Sequence, residues 1–424
     1  MKIAIIGTGI SGLTCGYYLH RYHDITLFEA NDYIGGHTAT VDVELDGKQY
    51  AIDTGFIVYN DRTYPNFIKM MDEIGVKGRP TEMSFSVRNE ANGLEYNGHT
   101  LTTLFAQKRN WLNPKFYHFI SEILRFNRLT KACVENELAS EQTLGEFLSQ
   151  HHFSEYFCEN YILPMGAAIW SSSLADMRAF PLMFFARFFL NHGLLDVTNR
   201  PQWYVIPGGS RSYIEPLTQG FRDRIRLNSA VTQVKRVPAG VEIQVNGQIE
   251  RFDEVIFACH SDQALAMLSE PTAKEQQLAA LAYQANEVVL HTDTRLLPKR
   301  KAAWASWNYW LKGEANQETR LPSLTYNMNI LQHIDAPQTF CVTLNSRDDI
   351  DPSKVLRRFT YHHPVFSRPA IEAQQAKAQI SGENHAWFCG AYWHNGFHED
   401  GVRSALDVVT RLETYAQRRE QGAA

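Results

Sequence analysis

The segment from Lys2 to Glu29 constrains the fold more than any other part of the chain. It contains an apolar run, the pattern Gly7-Thr8-Gly9-Ile10-Ser11-Gly12, a helical stretch and a second apolar run that ends on Glu29. This order predicts a β-α-β unit with a glycine-rich turn between its first strand and its helix. In such a unit Gly7 permits the tight turn, Gly9 lets the backbone approach a pyrophosphate, and Gly12 lets the helix pack closely on the strand.

The helix of this unit is predicted to bind phosphates through its N-terminus, where Ile10 and Ser11 present free N–H groups and a partial positive charge. Glu29 lies 22 residues after Gly7 and is followed by Ala30. A carboxylate there can accept hydrogen bonds from ribose hydroxyls, and its charge disfavours a 2′-phosphate. The motif alone leaves NAD and FAD as alternatives, and its plainest interpretation is an ordinary strand-to-helix turn.

Composition limits the class of protein. The 424 residues suffice for more than one lobe, and a net charge of −5 without a long basic run predicts no nucleic-acid partner. The six cysteines show no CxxC spacing, which argues against a zinc site or a disulfide framework and favours the cytoplasm. We expect no metal, no secretory signal and no spanning helix.

A second glycine-rich segment follows Glu29. Gly35-Gly36 permits another close backbone approach to a dinucleotide and precedes His37 and Thr38. Alternating residues on both sides of Asp46-Gly47 then predict a hairpin. The hairpin leads into Asp53-Thr54-Gly55-Phe56-Ile57, for which a simple strand-end turn is the alternative interpretation.

Together these motifs resemble the flavin-containing amine oxidase superfamily, which includes monoamine and polyamine oxidases, protoporphyrinogen oxidases and carotene desaturases. The resemblance implies FAD rather than NAD, and an α/β flavoprotein with a Rossmann-like FAD-binding lobe and a mixed α+β substrate lobe. We expect the FAD lobe to comprise residues 1–80, 205–285 and 380–424, and the substrate lobe residues 81–204 and 286–379. One departure is His37, where the superfamily usually has an arginine that contacts FAD.

The C-terminal segment resembles the last FAD motif of the superfamily. A strand ends at Gly390-Ala391, and the segment up to Gly401-Val402 leads into a helix. The resemblance places Gly390 near the pyrophosphate and the helix N-terminus at the flavin, where its dipole would stabilise the anionic reduced form. Some relatives attach FAD through a cysteine upstream of this motif. Because residues 342–388 contain no cysteine, we predict non-covalent FAD.

The resemblance also adds two internal segments to the predicted cofactor site. The backbone of Val231 would pair with the adenine, and the strand that ends at Ala258-Cys259 would run towards the dinucleotide. The full set of predicted cofactor contacts is Gly7, Gly9, Ile10, Ser11, Gly12, Glu29, Ala30, Gly35, Gly36, His37, Thr38, Thr54, Gly55, Phe56, Ile57, Val231, Ala258, Cys259, Gly390, Ala391, His398, Glu399, Asp400, Gly401 and Val402.

Four residues are candidate catalytic groups: His291, Trp393, His394 and His398. Amine oxidases commonly place a lysine on a substrate-lobe strand, and the alignment of motifs puts His291 near that position. A histidine can serve as a base near neutral pH, although a satisfied, partly buried histidine is the plainer interpretation. Phe397 occupies the position of an aromatic residue of the amine cage but lacks a hydroxyl.

The stretch Tyr161–Leu195 is unusually rich in phenylalanine. A buried core helix explains this composition, whereas an apolar tunnel or a membrane-surface patch would admit a lipid-like substrate.

The sequence therefore predicts an FAD-dependent oxidoreductase that removes a hydride from a C–H bond of an apolar, acyl-chain-like substrate, with oxygen or another electron acceptor. One alternative is an amine oxidase that produces peroxide. Another is a flavoprotein without net redox turnover, such as an isomerase or a cofactor-binding partner protein. The predicted location is the cytoplasm, and the phenylalanine-rich stretch leaves peripheral membrane contact open.

Overall fold

The computed structural model describes residues 1–136, 141–313, 319, 321 and 323–421. Its strands are short and distributed along the whole described chain. In chain order they are β1 (Lys2–Ile6), β2 (Asp24–Phe28), β3 (Thr40–Leu45), β4 (Lys48–Asp53), β5 (Val58–Asn60), β6 (Arg79–Thr81), β7 (Phe85–Asn89), β8 (Leu94–Asn97), β9 (Trp203–Val205), β10 (Ile225–Arg226), β11 (Val231–Val237), β12 (Gly240–Val245), β13 (Gln248–Phe252), β14 (Glu254–Phe257), β15 (Tyr283–His291), β16 (Trp307–Leu311), β17 (Ser323–Asn327), β18 (Cys341–Leu344), β19 (Val355–Pro364) and β20 (Ala386–Phe388).

The helices fall between these strands and concentrate in residues 101–191. They are α1 (Ile10–Leu19), α2 (Pro65–Glu73), α3 (Leu101–Leu104), α4 (Pro114–Glu135), α5 (Leu144–Gln150), α6 (Glu155–Phe157), α7 (Leu163–Trp170), α8 (Leu174–Arg178), α9 (Leu182–Asn191), α10 (Ile214–Thr218), α11 (Ser261–Met267), α12 (Met328–Leu331), α13 (Arg368–Gln375), α14 (Lys377–Ile380) and α15 (His398–Glu420). Within the described residues, no helix has both the length and the apolar character needed to cross a bilayer.

A five-stranded parallel sheet carries the first glycine motif. Its order is β10-β2-β1-β14-β20, so β1 lies in the middle, and its residues Ile3 to Ile6 are buried, as expected for a strand covered on both faces. Strands β2 and β10 lie on one side of β1, and β14, which follows them in the chain, lies on the other side. Ligands of open α/β sheets bind at the carboxyl ends of the strands where the order reverses, which here is between β1 and β14. The predicted α/β fold is confirmed.

A second sheet has seven strands in the order β19-β15-β18-β17-β16-β7-β8. Its pairs are antiparallel except for the parallel pair of β16 with β7. Helices α4 to α9 pack beside it around a phenylalanine-rich core. The rings of Phe153, Phe157, Phe180, Phe185, Phe188 and Phe189 are buried there, and Phe184 is partly buried. This burial agrees with the core interpretation and leaves no membrane-facing row of rings.

Local sequence signals placed several turns and caps correctly. Asp46 and Gly47 connect β3 to β4, and both have positive φ. Thr143 caps α5 in a reciprocal arrangement with Glu146, as a Thr-x-x-Glu sequence predicts. The last helix begins at His398 rather than near Gly401, because the Asp400 carboxylate accepts the Phe397 N–H and starts the helix one turn earlier.

Asp53, at the end of β4, holds three segments together. One carboxylate oxygen accepts hydrogen bonds from the Thr40 hydroxyl (2.6 Å) and from the Ser210 N–H (2.8 Å) and hydroxyl (2.9 Å). The other oxygen accepts a hydrogen bond from the Gln332 amide at 3.1 Å. Asp53 is fully buried, so these bonds replace all of its hydration. The carboxylate thereby fixes the Thr54-Gly55 turn against the Gly208-Gly209 turn.

Replacement of this carboxylate is our first prediction. We expect Asp53→Ala to lower the free energy of unfolding by about 3 kcal/mol, because buried donors on Thr40 and Ser210 lose their acceptor. Urea unfolding followed by tryptophan fluorescence measures the loss.

Asp42 offers a matched control on the neighbouring strand, since its exposed carboxylate pairs with Arg211. Asp42→Ala should cost less than about 1 kcal/mol. Equal losses for the two variants would contradict the proposed clamp.

Candidate functional site

The turn after β1 is packed against the end of β14. Gly7 has a φ of +105°, and a Cβ on it would lie 2.7 Å from the Ala258 carbonyl oxygen. A Cβ on Gly12 would lie 2.0 Å from the Gly7 carbonyl oxygen and 3.3 Å from the Ala258 Cβ. Both glycines are therefore required by the fold itself, because any side chain would push α1 away from the sheet.

Gly9 differs from its two neighbours in the motif. A Cβ on Gly9 would meet no atom within 4 Å, so the space beside it is open. The second glycine pair borders this space, since a Cβ on Gly36 would lie 3.2 Å from the Gly9 Cα. Two glycine turns thus approach each other and leave a bare stretch of backbone that faces open volume.

Two helix N-termini lie side by side at this edge of the sheet. The Ser11 hydroxyl, in the first turn of α1, donates a hydrogen bond to the Gly401 carbonyl in α15 at 3.0 Å. A Cβ on Gly401 would lie 2.6 Å from a methyl group of Ile10. The Gly390 N–H donates to the Ser404 hydroxyl at 2.8 Å and fixes the preceding loop. Adjacent N-termini concentrate positive potential, which suits a diphosphate.

Glu29 lies at the carboxyl end of β2 and is buried. One carboxylate oxygen accepts hydrogen bonds from the Thr8 N–H (3.1 Å) and hydroxyl (2.5 Å). The other accepts hydrogen bonds from the N–H and the side-chain amide of Asn31, both at 2.9 Å. The Ser229 N–H donates to the Glu29 carbonyl at 2.7 Å, which brings the start of β11, at Val231, beside this carboxylate. Ala30, the next residue, is exposed.

The remaining predicted contacts join these segments to one another. A Cβ on Gly55 would lie 2.2 Å from the His37 carbonyl oxygen, so the 54–57 segment lies directly against His37. The Phe56 N–H donates to that same carbonyl at 2.7 Å. Gly35, Thr38, Thr54, Ile57, Ala258, Cys389 and Val402 are all buried around this edge, whereas Cys259 and Ala391 are partly exposed.

His37 is the residue that departs from the superfamily pattern. The residue is partly exposed, but its Nε2 is buried and has no hydrogen-bond partner among the described residues. Its ring centre lies 5.1 Å from that of Tyr361, 5.9 Å from that of His363 and 6.2 Å from that of His260. Burial, together with the neighbouring His363, lowers the pKa of His37 to about 3. The imidazole is therefore neutral near pH 7.

Two further histidines, His260 and His363, lie beside His37, and the sequence analysis did not predict them at the site. We call these three residues the histidine wall. The His363 Nδ1 lies 3.1 Å from both the Ser171 hydroxyl and the Asn286 side-chain nitrogen, and burial lowers its pKa to about 4. His260 stacks on Tyr283 with ring centres 4.2 Å apart. A signal was present for His260, since it directly follows the buried strand β14 at the carboxyl edge. His363 lies on β19, where nothing in the sequence points towards the site.

His398, predicted as both a catalytic and a cofactor residue, belongs to a buried polar chain. Its Nε2 lies 2.8 Å from the Tyr213 hydroxyl, which lies 2.5 Å from the Thr38 hydroxyl. Its ring stacks on Phe56 with centres 3.7 Å apart. Burial and then the neighbouring His37 lower the pKa of His398 to about 3, so this imidazole is also neutral.

The two carboxylates at the start of α15 bind backbone N–H groups of the protein. Glu399 accepts hydrogen bonds from the Asn66 N–H (3.1 Å) and side chain (2.6 Å) and from the Phe67 N–H (2.8 Å), so it caps α2. Asp400 accepts the N–H groups of Asn395 and Phe397. Burial raises the pKa of both groups, that of Asp400 to about 7.

Trp393 and His394 have different surroundings. Trp393 is buried in the core, and its indole N–H donates to the Phe388 carbonyl at 3.1 Å, which leaves no polar atom for chemistry. The His394 Nε2 is buried and, within the described chain, has no hydrogen-bond partner. Burial lowers the pKa of His394 to about 4.

The structure places His291 away from the histidines that surround His37. His291 lies at the far end of β15, eight residues beyond Tyr283, which corresponds to roughly 26 Å along a strand. Its Nε2 lies 2.7 Å from the Thr343 hydroxyl, and its Nδ1 accepts the Asp293 N–H at 3.0 Å. This histidine is a satisfied interior residue of the seven-stranded sheet. The residues of β15 that approach these histidines are Tyr283, which stacks on His260, and Asn286, which lies beside His363.

The described residues fit a flavin dinucleotide. Gly9 and Gly36 provide bare backbone beside open space, α1 and α15 direct two N-termini at it, and Glu29 lies at the ribose position. The buried, unpartnered His37 Nε2 is an independent sign of a missing polar group, because such nitrogens normally find a partner.

Comparison with known proteins agrees with this geometry. A model of the flavin-containing amine oxidoreductases matches residues 10–335. The 15-cis-phytoene desaturase of Synechococcus elongatus is 34% identical over 80 residues, which is 19% of this chain and 16% of that protein.

Two solved structures illustrate the shared fold. A CLA-producing fatty acid isomerase from P. acnes superimposes with a TM-score of 0.69 at 15% identity, over 96% of this chain and 98% of that chain. Cyclohexylamine oxidase of Brevibacterium oxydans superimposes with a TM-score of 0.67 at 14% identity, over 97% and 99% of the respective chains.

The contrast between Gly9 and Gly12 provides the second prediction. Gly9→Ala should fold with an unchanged melting temperature of the apoprotein, because its Cβ enters open space, yet bind FAD at least tenfold more weakly. Gly12→Ala should instead lower the melting temperature of the apoprotein. Thermal unfolding and titration of the apoprotein with FAD measure the two effects.

A Gly9→Ala variant that binds FAD normally would place the dinucleotide elsewhere. Gly47→Ala is a control for a glycine replacement at a turn outside the site, and it should leave FAD affinity unchanged.

The third prediction concerns pH. Burial lowers the pKa of six histidines to about 3 or 4, so each binds a proton only after unfolding; they are His37, His192, His291, His363, His394 and His398. Each contributes stability that is present above pH 6.5 and is lost as the pH falls towards 4. The raised pKa values of Asp53, Glu399 and Asp400 act in the opposite direction but involve three groups rather than six.

We therefore expect the free energy of unfolding to fall by at least about 2 kcal/mol between pH 7 and pH 5.5. Urea titrations across this range measure it. His291→Gln should reduce the slope, whereas replacement of the exposed His118 by glutamine should not. Stability that rises as the pH falls would show that the carboxyl groups dominate.

Proposed function

This chain belongs to the flavin-containing amine oxidoreductase family, and we propose that it is an FAD-dependent oxidoreductase that takes a hydride from a C–H bond of an apolar, acyl-chain-like substrate. We also propose that FAD is held without a covalent bond, and that oxygen or another acceptor receives the electrons. The observation that carries the substrate class is the apolar environment of Phe397, the aromatic residue at the amine-cage position.

Aromatic rings surround Phe397 on the substrate-lobe side. Phe188 stacks on Phe397 with ring centres 5.1 Å apart, and His192 stacks on Phe188 at 3.8 Å. One turn earlier in α9, Phe184 stacks on Phe366 at 5.1 Å. Burial lowers the pKa of His192 to about 4, so this imidazole is uncharged at neutral pH. The surface offered by these residues suits hydrocarbon rather than an ammonium group.

The charged groups near Phe397 do not form a binding site for an amine. The Glu399 and Asp400 carboxylates at the start of α15 accept backbone and amide N–H groups, and burial raises their pKa values. His37 and His398 are neutral. An alkylammonium ion would lose its hydration here and would have to compete with these N–H donors for the two carboxylates. This argues for an apolar substrate over an amine.

When bound, FAD supplies a hydride acceptor. The N-termini of α1 and α15 would hold its diphosphate. A ribose hydroxyl at Glu29 would replace one of the four hydrogen bonds that this carboxylate accepts from Thr8 and Asn31. The aromatic wall at Phe397 would orient an acyl chain and exclude water, which is the main requirement of hydride transfer. His37 Nε2, which has no partner in the described protein, can accept a hydrogen bond there, whereas its pKa of about 3 means that the proton released by a desaturation must pass on to solvent.

The fourth prediction tests the substrate class. Under anaerobic conditions, oleic acid micelles or fractions of a lipid extract should bleach the flavin absorbance of the holoprotein, whereas a panel containing hexylamine and putrescine should not. Phe397→Ser should lower the second-order rate of bleaching about 30-fold, because it removes roughly 2 kcal/mol of apolar contact.

His291→Gln is the matched control, since it removes a buried histidine outside the site and should leave this rate unchanged. Bleaching by amines with formation of peroxide, and none by lipids, would show an amine oxidase instead. A rearranged product of unchanged mass, formed without any acceptor, would show an isomerase. Either result contradicts the proposal.

A further inference from the structure

The surface formed by α3, the following 3-10 turn and the start of α4 exposes large apolar side chains. Leu112 is 90% exposed, Leu101 71% and Trp111 52%, and Tyr117 is also exposed. Lys108 and Arg109 are exposed immediately before Trp111. We call these six residues the Trp111 surface.

The apolar members of the Trp111 surface form one patch. Leu101 and Phe105 lie one helical turn apart, and the Phe105 ring stacks on Trp111 with ring centres 4.0 Å apart. The Tyr117 hydroxyl donates to the Trp111 carbonyl at 3.0 Å. Leu112 follows Trp111 in the chain and projects further into solvent than either ring. Solvation of such a cluster is unfavourable unless something covers it.

The charge of this region indicates which kind of partner would cover the apolar patch. Residues 96–121 contain Lys108, Arg109 and Lys115 and no acidic residue, although the whole chain has a net charge of −5. Glu122 is buried and accepts hydrogen bonds from Ser154, so it faces the core. Glu82 approaches the margin of the region, 3.7 Å from His99. The positive charge of this segment is thus local, since Lys108 and Arg109 precede Trp111 and Leu112 in the chain and Lys115 follows them.

We propose that the Trp111 surface binds the face of an anionic phospholipid bilayer. Leu101 and Leu112 would enter the acyl region, Trp111 and Tyr117 would lie at the headgroup level, and Lys108 and Arg109 would contact lipid phosphates. The patch is too small to hold the protein without this charge contribution, which commits the proposal to anionic lipid. This inference concerns the attachment of the protein and does not depend on the identity of its substrate.

Sedimentation with sucrose-loaded vesicles tests the proposal. The holoprotein should bind vesicles of equal parts phosphatidylglycerol and phosphatidylcholine, bind pure phosphatidylcholine at least tenfold more weakly, and lose binding as the salt concentration rises. Leu112→Ser should weaken partitioning about tenfold. Ile249→Ser is the matched control, because Ile249 is 67% exposed on β13, away from this surface, and its loss should have no effect.

The charge contribution is tested in the same assay. Lys108→Glu should lower binding to the anionic vesicles about tenfold, whereas Lys235→Glu, the same change on the exposed β11 strand, should lower it less than threefold. Brominated phosphatidylcholine should quench tryptophan emission of the wild type, and Trp111→Phe should remove that quenching. All substituted side chains are exposed, so the variants should keep the wild-type melting temperature.

Three results would overturn the proposal: no binding to anionic vesicles, equal binding by wild type and Leu112→Ser, or self-association that Leu112→Ser abolishes without any vesicle binding. The last result would identify a second copy of the chain as the occupant. Flavin bleaching by dispersed substrates is measured separately, so failure here leaves the proposed chemistry unaffected.

Discussion

The close approach of the Gly7 turn to the end of β14 is the contact on which the rest of the structure depends. Gly12 lies against Gly7, and both lie against Ala258, so a chain of van der Waals contacts joins α1, β1 and β14 with no side chain between them. Because α1 packs so closely on the sheet, the N-terminus of α15 can lie beside that of α1, with Gly401 against Ile10. Two segments nearly 400 residues apart thereby build one phosphate-binding edge.

Burial of polar groups is the second constraint, and the chain satisfies it in two ways. Carboxylates such as Asp53, Glu29 and Glu399 each accept several N–H or O–H donors, which offset part of the cost of burial, although the pKa values of Asp53 and Glu399 stay raised. Histidines are instead buried as neutral rings, which avoids the cost of a buried charge. Where the superfamily pattern has a permanently charged arginine, His37 leaves a site without that charge. The electrostatics of the site therefore come mainly from helix termini and Glu29.

The conformation of the glycine turns proposed to hold the cofactor was predictable because their signals are local. Glycine spacing determines which backbone atoms can approach each other, and Gly7, Gly9 and Gly12 are separated by only a few residues. The position of His291 was not predictable, because the register of a strand within a sheet depends on partners such as β18 and β19 that lie 50 to 70 residues further along. His363 faces the site only through that same register. The domain boundaries stay a prediction, although the strands of the five-stranded sheet fall within residues 1–80, 205–285 and 380–424.

Packing explains why the phenylalanine-rich stretch is buried while the Trp111 surface is exposed. The phenylalanines of residues 153–189 pack against other aromatic rings in the core, whereas the side chains of Leu112 and Trp111 stay exposed to solvent. A continuous series of ring contacts nevertheless joins the two regions. It runs through Trp111, Phe105, Phe116, Phe119, Tyr161, Phe157, Phe126, Phe185, Trp170, Phe188 and Phe397. Because close-packed cores are nearly incompressible, a bilayer bound at Trp111 would lie at a fixed distance from Phe397. The same aromatic core would then position the protein on its lipid surface and shape the wall against which an acyl chain is oxidised.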